Sequence, residues 1–326
     1  MPELIVRRET WPLARTFAIS RGAKIIAETV VATVIGDGVA GRGECVPYAR
    51  YGESAEGVSA ALEALAPAIA GGMERAALQD ALPAGAARNA LDCALWDFEA
   101  KRSGVPAWRT AELPEPGAVT TAYTLSLDTP EGMARAAKAE AHRPLIKLKL
   151  AGDGDVERVA AVRENAPSSR LIVDANEGWV TTRVELLAAA LGDLGVELIE
   201  QPLPAGSDAI LAEIAHPVPF CADESCHDRA SLDALAGCYD FINIKLDKAG
   251  GLTEALALKA EARARGMRIM VGCMVATSLA VAPAMLVAGD VDFVDLDGPL
   301  LLARDREHGL AYDGGTVYPP SVALWG

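Results

Sequence analysis

Three carboxylates each close a short apolar run: Asp174 after Leu171-Ile172-Val173, Glu200 after Leu198-Ile199, and Asp223 after Phe220-Cys221-Ala222. The steps from 174 to 200 to 223 are 26 and 23 residues, about one strand–helix repeat each. In a parallel barrel the C-terminal ends of successive strands meet at one mouth. Three carboxylates gathered there repel one another unless a hard cation neutralises them. Oxygen ligands alone point to a divalent ion, most simply Mg²⁺.

Lysines bracket this set. In Leu145-Ile146-Lys147-Leu148-Lys149-Leu150 the two-residue strand period puts Lys147 and Lys149 on one face and the aliphatics on the other. Downstream, Lys245 ends Phe241-Ile242-Asn243-Ile244. The order is lysine strand, three acid strands, lysine strand, and round a barrel the two lysine strands face each other across the mouth. A bound substrate then meets one lysine from each side, with the cation between. Further on, Asp295 and Asp297 share a face by the same period, and two anions there suit a positively charged group. Arg21, Lys24 and Arg50 supply positive charge in the first fifty residues of an acidic chain. Tyr51, in Tyr48-Ala49-Arg50-Tyr51-Gly52-Glu53, is expected to wall the pocket.

The elements that must hold these residues fall into two patterns. Up to about residue 50 the chain reads as strands: Ile25 to Ile35 is rich in Val, Ile and Thr, and Gly36-Asp37-Gly38 supplies a hairpin turn. One helix is expected through Val58, Leu62, Leu65 and Ile69, ended by Gly71-Gly72. A second runs through Ala87, Leu91, Leu95 and Phe98, stopped by Gly104 and Pro106. This α+β unit spans residues 1–113, and Glu112 to Gly117 reads as a linker. From Val119 onward short strands alternate with helices. Strands are expected around Tyr123, Leu148, Ile172, Leu198, Phe220, Ile244, Met270 and Phe293, with seven helices between them, giving a barrel over residues 118–303. The segment 304–326 could return to the first unit. An open doubly wound sheet is the alternative, but it would not bring these strand ends round one mouth, and no G-x-G-x-x-G follows the first strand.

With 51% hydrophobic residues the chain can build a large core, and a net charge of −15 argues against nucleic acid or an anionic membrane as a partner. Six scattered cysteines with no C-x-x-C pair read as reduced thiols of a cytoplasmic protein, and neither a signal peptide nor a membrane span is visible. Homo-oligomerisation is compatible with all of this. The four histidines are given no catalytic part.

The ordered set Lys147-x-Lys149, Asp174-Ala175-Asn176, Glu200-Gln201-Pro202, Asp223-Glu224-Ser225 and Lys245 resembles the enolase superfamily, and within it the muconate-lactonizing subgroup. Asp295-Leu296-Asp297-Gly298-Pro299 resembles the D-x-D motif of bacterial dipeptide epimerases, as do the stretches Ala86 to Asp97 and Asn243 to Ala255. The resemblance implies an α/β fold, a (β/α)7β modified TIM barrel with an α+β capping domain. It implies Mg²⁺ on Asp174, Glu200 and Asp223, Lys149 and Lys245 as the acid/base pair, and Lys147 as an electrostatic auxiliary. It further implies Asp295 and Asp297 on a dipeptide's ammonium group, and places Arg21 in a cap loop, where it or Lys24 would meet a glutamyl side chain. The implied reaction is epimerisation at the C-terminal residue through an enediolate, with L-Ala-D/L-Glu as the substrate pair and a place in peptidoglycan-peptide metabolism. One departure is visible. Many subgroup relatives carry a Glu in the loop after strand seven, where this chain has Ala276. Another superfamily reaction, a cycloisomerase or an o-succinylbenzoate synthase, would use the same cation and lysines without needing Asp295 and Asp297. A Schiff-base aldolase barrel or a non-catalytic metal-binding barrel are the readings outside the superfamily.

Overall fold

A computed structural model describes residues 1–326. The chain begins with β1 (Glu3–Ile19), β2 (Gly22–Gly36) and β3 (Val39–Cys45), an antiparallel sheet in that order. The β2–β3 turn is the expected one, with Asp37 and Gly38 at φ 51° and 79°. The pairing of β1 with β2 slips between Pro12 and Phe17. The far end of this hairpin reaches the barrel, where Ala18 N–H donates to Ser126 Oγ at 2.6 Å and Leu127 N–H to Ala18 O at 3.1 Å.

Four helices follow: α1 (Ala55–Glu63), α2 (Ala66–Ala70), α3 (Arg75–Ala81) and α4 (Ala86–Ser103). The single helix expected through Val58 to Ile69 is two, divided at Ala64–Leu65 just before Pro67, whose ring cannot continue an α-helix. Helix α3 is too short and weakly periodic to be read from sequence. Helix α4 is buried along most of its length and lies directly on β3. Gly41 and Gly43 make that approach possible: a Cβ on Gly43 would lie 2.2 Å from Ala90 O, and one on Gly41 2.2 Å from Phe98 N.

After β4 (Val119–Thr120) come the barrel strands: β5 (Tyr123–Leu125), β6 (Leu145–Lys149), β7 (Arg170–Asp174), β8 (Val196–Glu200), β9 (Phe220–Ala222), β10 (Phe241–Ile244), β11 (Arg268–Gly272) and β12 (Phe293–Asp295). They form one parallel sheet ordered β12 to β5. The seam between first and last is bridged by Ala122 N–H to Val294 O and Leu296 N–H to Thr121 Oγ1, both 2.8 Å. Inside, Ala122, Leu145, Ile172, Leu198, Cys221, Phe241, Met270 and Phe293 form a buried floor, each strand or its first flanking residue giving one side chain. All eight expected strands are present. The expected helix between β8 and β9 is instead a 3₁₀ segment, Asp208–Glu213, in a stretch that contains Pro202, Pro204, Gly206, Pro217 and Pro219. The last strands, β13 (Tyr312–Asp313) and β14 (Thr316–Val317), form a small antiparallel sheet with β4 in which β14 lies in the middle. The chain then returns to α4, where Trp325 Nε1 donates to Cys93 O and Gly326 N–H to Asp97. No helix is long and apolar enough to cross a membrane.

Helix α4 also grips the barrel just beyond Lys245. Asp247 accepts from Val46 N–H and Asn89 Nδ2, both at 2.9 Å; Arg88 donates to Ala249 O and Gly250 O; Asp92 accepts from Thr253. Burial pushes the Asp247 carboxyl up to about 7. Because the β3–α4 contact is backbone against backbone, Gly43→Ala is expected to cost about 1–3 kcal/mol of stability. Urea unfolding measures this, and an unchanged midpoint would contradict the packing argument.

Candidate active site

Asp174 and Glu200 are the last residues of β7 and β8, and Asp223 directly follows β9. All three are buried, and one oxygen of each lies within 4.8 Å of the others. The loops leaving these strands bend at once, with Asn176, Glu177 and Gln201 at φ 44°, 65° and 34°. These turns bring main-chain donors back onto the site. Asn176 N–H donates to Asp174 Oδ1 at 2.9 Å, and Gln201 Oε1 accepts from the N–H groups of Asp223 and Ser225. Asn243 Nδ2 holds Glu200 Oε1 at 2.7 Å. Three buried carboxylates so placed, each supported from behind, suit a hard divalent cation.

The lysines interleave with the acids. Lys149 Nζ is 2.5 Å from Asp174 and Lys245 Nζ 2.7 Å from Asp223. Lys147 is buried among three acids, at 2.5 Å from Glu200, 2.7 Å from Asp295 and 3.5 Å from Asp174. Burial works against its charge, but Asp295, Glu200 and Asp174 outweigh burial and hold its ammonium well above the usual lysine range. Burial likewise opposes an ionised Asp223, yet Lys245 and Lys248 keep that carboxyl well below its ordinary value. Burial, with Asp174 next, lifts Glu200 to about 7.

Lys149 and Lys245 line one cavity of about 290 Å³, together with Phe17, Lys24, Tyr51 and Cys273. A recess of about 30 Å³ adjoins it, sharing Phe17 and both lysines and ending at Lys147, Asp295 and Asp297. The two aspartates differ. Asp295 spends Oδ2 on Lys147, and its buried Oδ1 has no partner. Asp297 lies past the end of β12 and accepts from Thr124 N–H at 2.6 Å; burial, then Asp295, lifts it to about 7. The inward pair expected from the strand period is therefore one anion matched by a lysine and one carboxyl tied to the backbone.

The cap closes the mouth. Arg21, expected as a substrate cation, is occupied by the protein: its guanidinium donates to Asn176 O at 2.8 Å, Glu177 at 2.9 Å, Glu224 at 2.5 Å and Tyr48 Oη at 3.1 Å. Arg50 is paired with Glu177 at 2.8 Å. These loop carboxylates draw both arginines onto the barrel rim. Lys24 makes no ion pair within the protein. Burial, then the charges of Lys149 and Lys245, lower its ammonium to about 8. The Phe17 ring lies near both Lys24 and Lys149, whose nitrogens are 6.0 and 5.9 Å from its centre. Tyr51 packs edge-on to His227 at 4.5 Å, and burial pushes its phenol above the usual range. Ala276 is buried against Val46 and Ala280.

Sequence reasoning passed over Lys248. Its Nζ reaches Asp223 O at 2.5 Å, Asp223 Oδ1 at 2.6 Å and Asn243 O at 3.0 Å. The signal for it was the Lys245-x-x-Lys248 spacing, which puts two lysines one helical turn apart directly after a strand.

With the barrel, its cap and this site in place, the chain belongs to the enolase superfamily. Residues 1–110 match the mandelate racemase / muconate lactonizing enzyme N-terminal domain, and residues 131–322 match the enolase C-terminal domain-like family. It is 48% identical to the L-Ala-D/L-Glu epimerase of Escherichia coli strain K12 over 318 residues, 96% of this chain and 98% of that one. It is also 48% identical to an N-acetyl-D-glutamate racemase of Pseudoalteromonas sp. over 290 residues, 88% of this chain and 91% of that one. An Agrobacterium tumefaciens enolase family member with homology to dipeptide epimerases, solved with sodium, L-Ala-L-Glu and an ordered loop, superposes with a TM-score of 0.99 at 52% identity over the whole of both chains.

The cluster geometry leads to a direct binding prediction. Titration calorimetry should find one divalent-cation site in the wild type, and Asp223→Asn should weaken it at least about tenfold. Equal affinity in both proteins would remove Asp223 from the ligand set.

Proposed function

We propose that this chain is a Mg²⁺-dependent dipeptide epimerase that inverts the α-carbon of the C-terminal residue, with L-Ala-D/L-Glu as its preferred pair. The observation that carries this reading is that Lys149 and Lys245, on β6 and just after β10, line one cavity beside the acid triad, with Asp295 and Asp297 in the adjoining recess. The chain is then an isomerase whose cap is residues 1–113 and whose barrel, residues 118–303, carries the chemistry. A cytoplasmic location fits its six unpaired cysteines, five of them buried.

Asp174, Glu200 and Asp223 would hold the Mg²⁺, which when bound stabilises the negative charge that develops on the substrate carboxylate as its α-proton leaves. The remaining work belongs to the chain. One lysine, as free amine, takes the α-proton from its face, and the other, as ammonium, returns a proton to the opposite face. Exchanging these roles gives the reverse direction. Lys147 pairs with Asp295 and Glu200 and holds both carboxyl groups in place. The free Oδ1 of Asp295 is a buried acceptor suited to the substrate's ammonium group. Lys24, the cation of the cavity without an acidic partner, would meet the glutamyl carboxylate, while Arg21, Arg50 and Tyr51 form the closed wall.

A second reading, racemisation of an N-acylated glutamate, draws on the Pseudoalteromonas relative and on the Asp295–Lys147 pair, which leaves the recess less negative than two free aspartates would. Mass-detected α-proton exchange in D₂O with Mg²⁺ separates the two. L-Ala-L-Glu should exchange and epimerise, and its N-acetyl derivative should react at least about tenfold more slowly. N-acetyl-glutamate turning over faster than the dipeptide would favour the second reading. Lys149→Ala and Lys245→Ala should each lower epimerisation at least about 100-fold, with one of them still exchanging the α-proton of a single enantiomer. Near-normal epimerisation by either variant would end the two-lysine mechanism.

The lowered ammonium of Lys24 adds a pH signature. It faces Lys149, Lys245 and the Phe17 ring, and it carries its charge only below about 8. The KM for L-Ala-L-Glu should therefore climb as the pH passes 8, while that for L-Ala-L-Leu stays level. Lys24→Met should abolish the difference and raise the glutamyl KM roughly tenfold or more. Parallel profiles for the two substrates would assign the glutamyl contact elsewhere.

A further inference from the structure

We propose that Lys248 is a positioning residue for the cation site: it claims one oxygen of Asp223 and its main-chain carbonyl, so that a single oxygen of that carboxylate faces the site. The proposal rests on the reading of Asp174, Glu200 and Asp223 as the cation ligands.

Asp223 is the ligand least supported by its own strand. Asp174 and Glu200 are the final residues of β7 and β8, whereas β9 has only three residues and ends at Ala222. The pairing of β9 with β10 covers just Phe241 with Cys221 and Ile242 with Ala222. Asp223 is thus free of the ladder and must be fixed by other bonds. Its N–H is held by Gln201 Oε1 at 2.9 Å. Its carbonyl, at 2.5 Å, and its Oδ1, at 2.6 Å, are both held by Lys248 Nζ. The third donor of the same ammonium reaches Asn243 O on β10 at 3.0 Å. All three donors of Lys248 are therefore spent, in a side chain only 1% exposed.

The other carboxylate oxygen, Oδ2, faces Lys245 at 2.7 Å. A carboxylate free to rotate could offer a cation either oxygen or both. Lys248 removes that freedom by binding Oδ1 and the carbonyl of the same residue, which sets the torsion of the side chain as well as its place. Asn243 makes the arrangement reciprocal. Its carbonyl receives Lys248, while its side-chain amide holds Glu200 Oε1 at 2.7 Å. One β10 residue thus links the orientation of two ligands, and Lys248 is the cation that connects the second. Oriented outer partners of this kind are typically worth about 10–100-fold in metal affinity.

A plain filler of the space below the mouth would not need a charge. A long buried lysine whose donors all end on a ligand residue and on the strand beside it points to orientation. Lys248 touches neither the cavity that holds Lys149 and Lys245 nor the recess at Asp295.

The experiment is Mg²⁺ titration calorimetry on wild type, Lys248→Met and Lys248→Gln, with thermal melts and with kcat at saturating Mg²⁺ measured on L-Ala-L-Glu. The expected result is a Mg²⁺ Kd at least tenfold weaker in Lys248→Met, with an intermediate loss in Lys248→Gln, which keeps a shorter donor. The loss should persist when the melting temperatures are restored by an osmolyte. A lowered melting temperature with Kd within twofold of wild type in the folded variants would make Lys248 a structural lysine only and overturn the proposal. If Lys248→Met does not fold, Lys248→Gln decides by the same criterion. Absence of Mg²⁺ binding in wild type would overturn the ligand reading on which the proposal rests. Mg²⁺ binding without turnover of L-Ala-L-Glu would reject the substrate assignment alone.

Discussion

Mutual repulsion among three buried carboxylates is the constraint around which the rest of this molecule is arranged. With oxygens of Asp174, Glu200 and Asp223 within 4.8 Å of one another, each pair of charges costs roughly 3–4 kcal/mol at an effective interior dielectric of about 20. The fold supplies compensating cations on neighbouring strand ends, so that every acid of the triad meets at least one lysine. It also supplies hydrogen bonds from Asn176 N–H to Asp174 and from the Asn243 amide to Glu200, which fix where those carboxylates point, while Gln201 Oε1 accepts from the Asp223 N–H and fixes its backbone. The two cavity lysines and the enclosed ones are thus parts of one charge lattice. In that lattice a lysine's task depends on whether it faces the cavity, as Lys149 and Lys245 do, or is enclosed by acids, as Lys147 is.

A lattice of that kind tolerates little movement, and the cap restrains it. Helix α4 holds the segment after Lys245 through Arg88, Asn89 and Asp92, while Arg21 and Arg50 pin the cap loops to Glu177 and Glu224 on the rim. The close approach of β3 to α4 at Gly41 and Gly43 sets the level at which the helix sits. Local packing in the first domain therefore reaches the second through a few buried polar bonds. Their tight geometry follows from the cost of leaving such groups unpaired.

The barrel was legible because its signals are periodic. Eight apolar runs with strand spacing, six of them ending in or running directly into a residue able to do chemistry, define the strand ends, and all eight strands formed where the pattern put them. The acid triad was legible for the same reason. What escaped was set by partners distant in sequence. The fate of Arg21 depends on Glu224, about two hundred residues away, and that of Asp295 on Lys147 across the barrel seam. The 3₁₀ segment replacing a helix before β9, and the division of the first cap helix before Pro67, were marked by prolines, which outweighed the apolar spacing. Helix α3, seven residues long, gave no periodicity to read.

Arg21 and Lys24 show why composition alone cannot assign a substrate contact. They lie three residues apart on one hairpin, both positive, both beside the same cavity. The planar guanidinium can reach several acceptors at once, and the rim offers it Asn176 O, Glu177 and Glu224, so its donors are used within the protein. The single ammonium of Lys24 lies deeper, beside two other lysines, where no protein carboxylate pairs with it. A charge held in that position without a partner is costly, and an acidic ligand group would relieve the cost. The less strongly bound of the two cations is thus the one whose energetics favour a substrate anion, and the choice between them rests on which acceptors the barrel rim already provides.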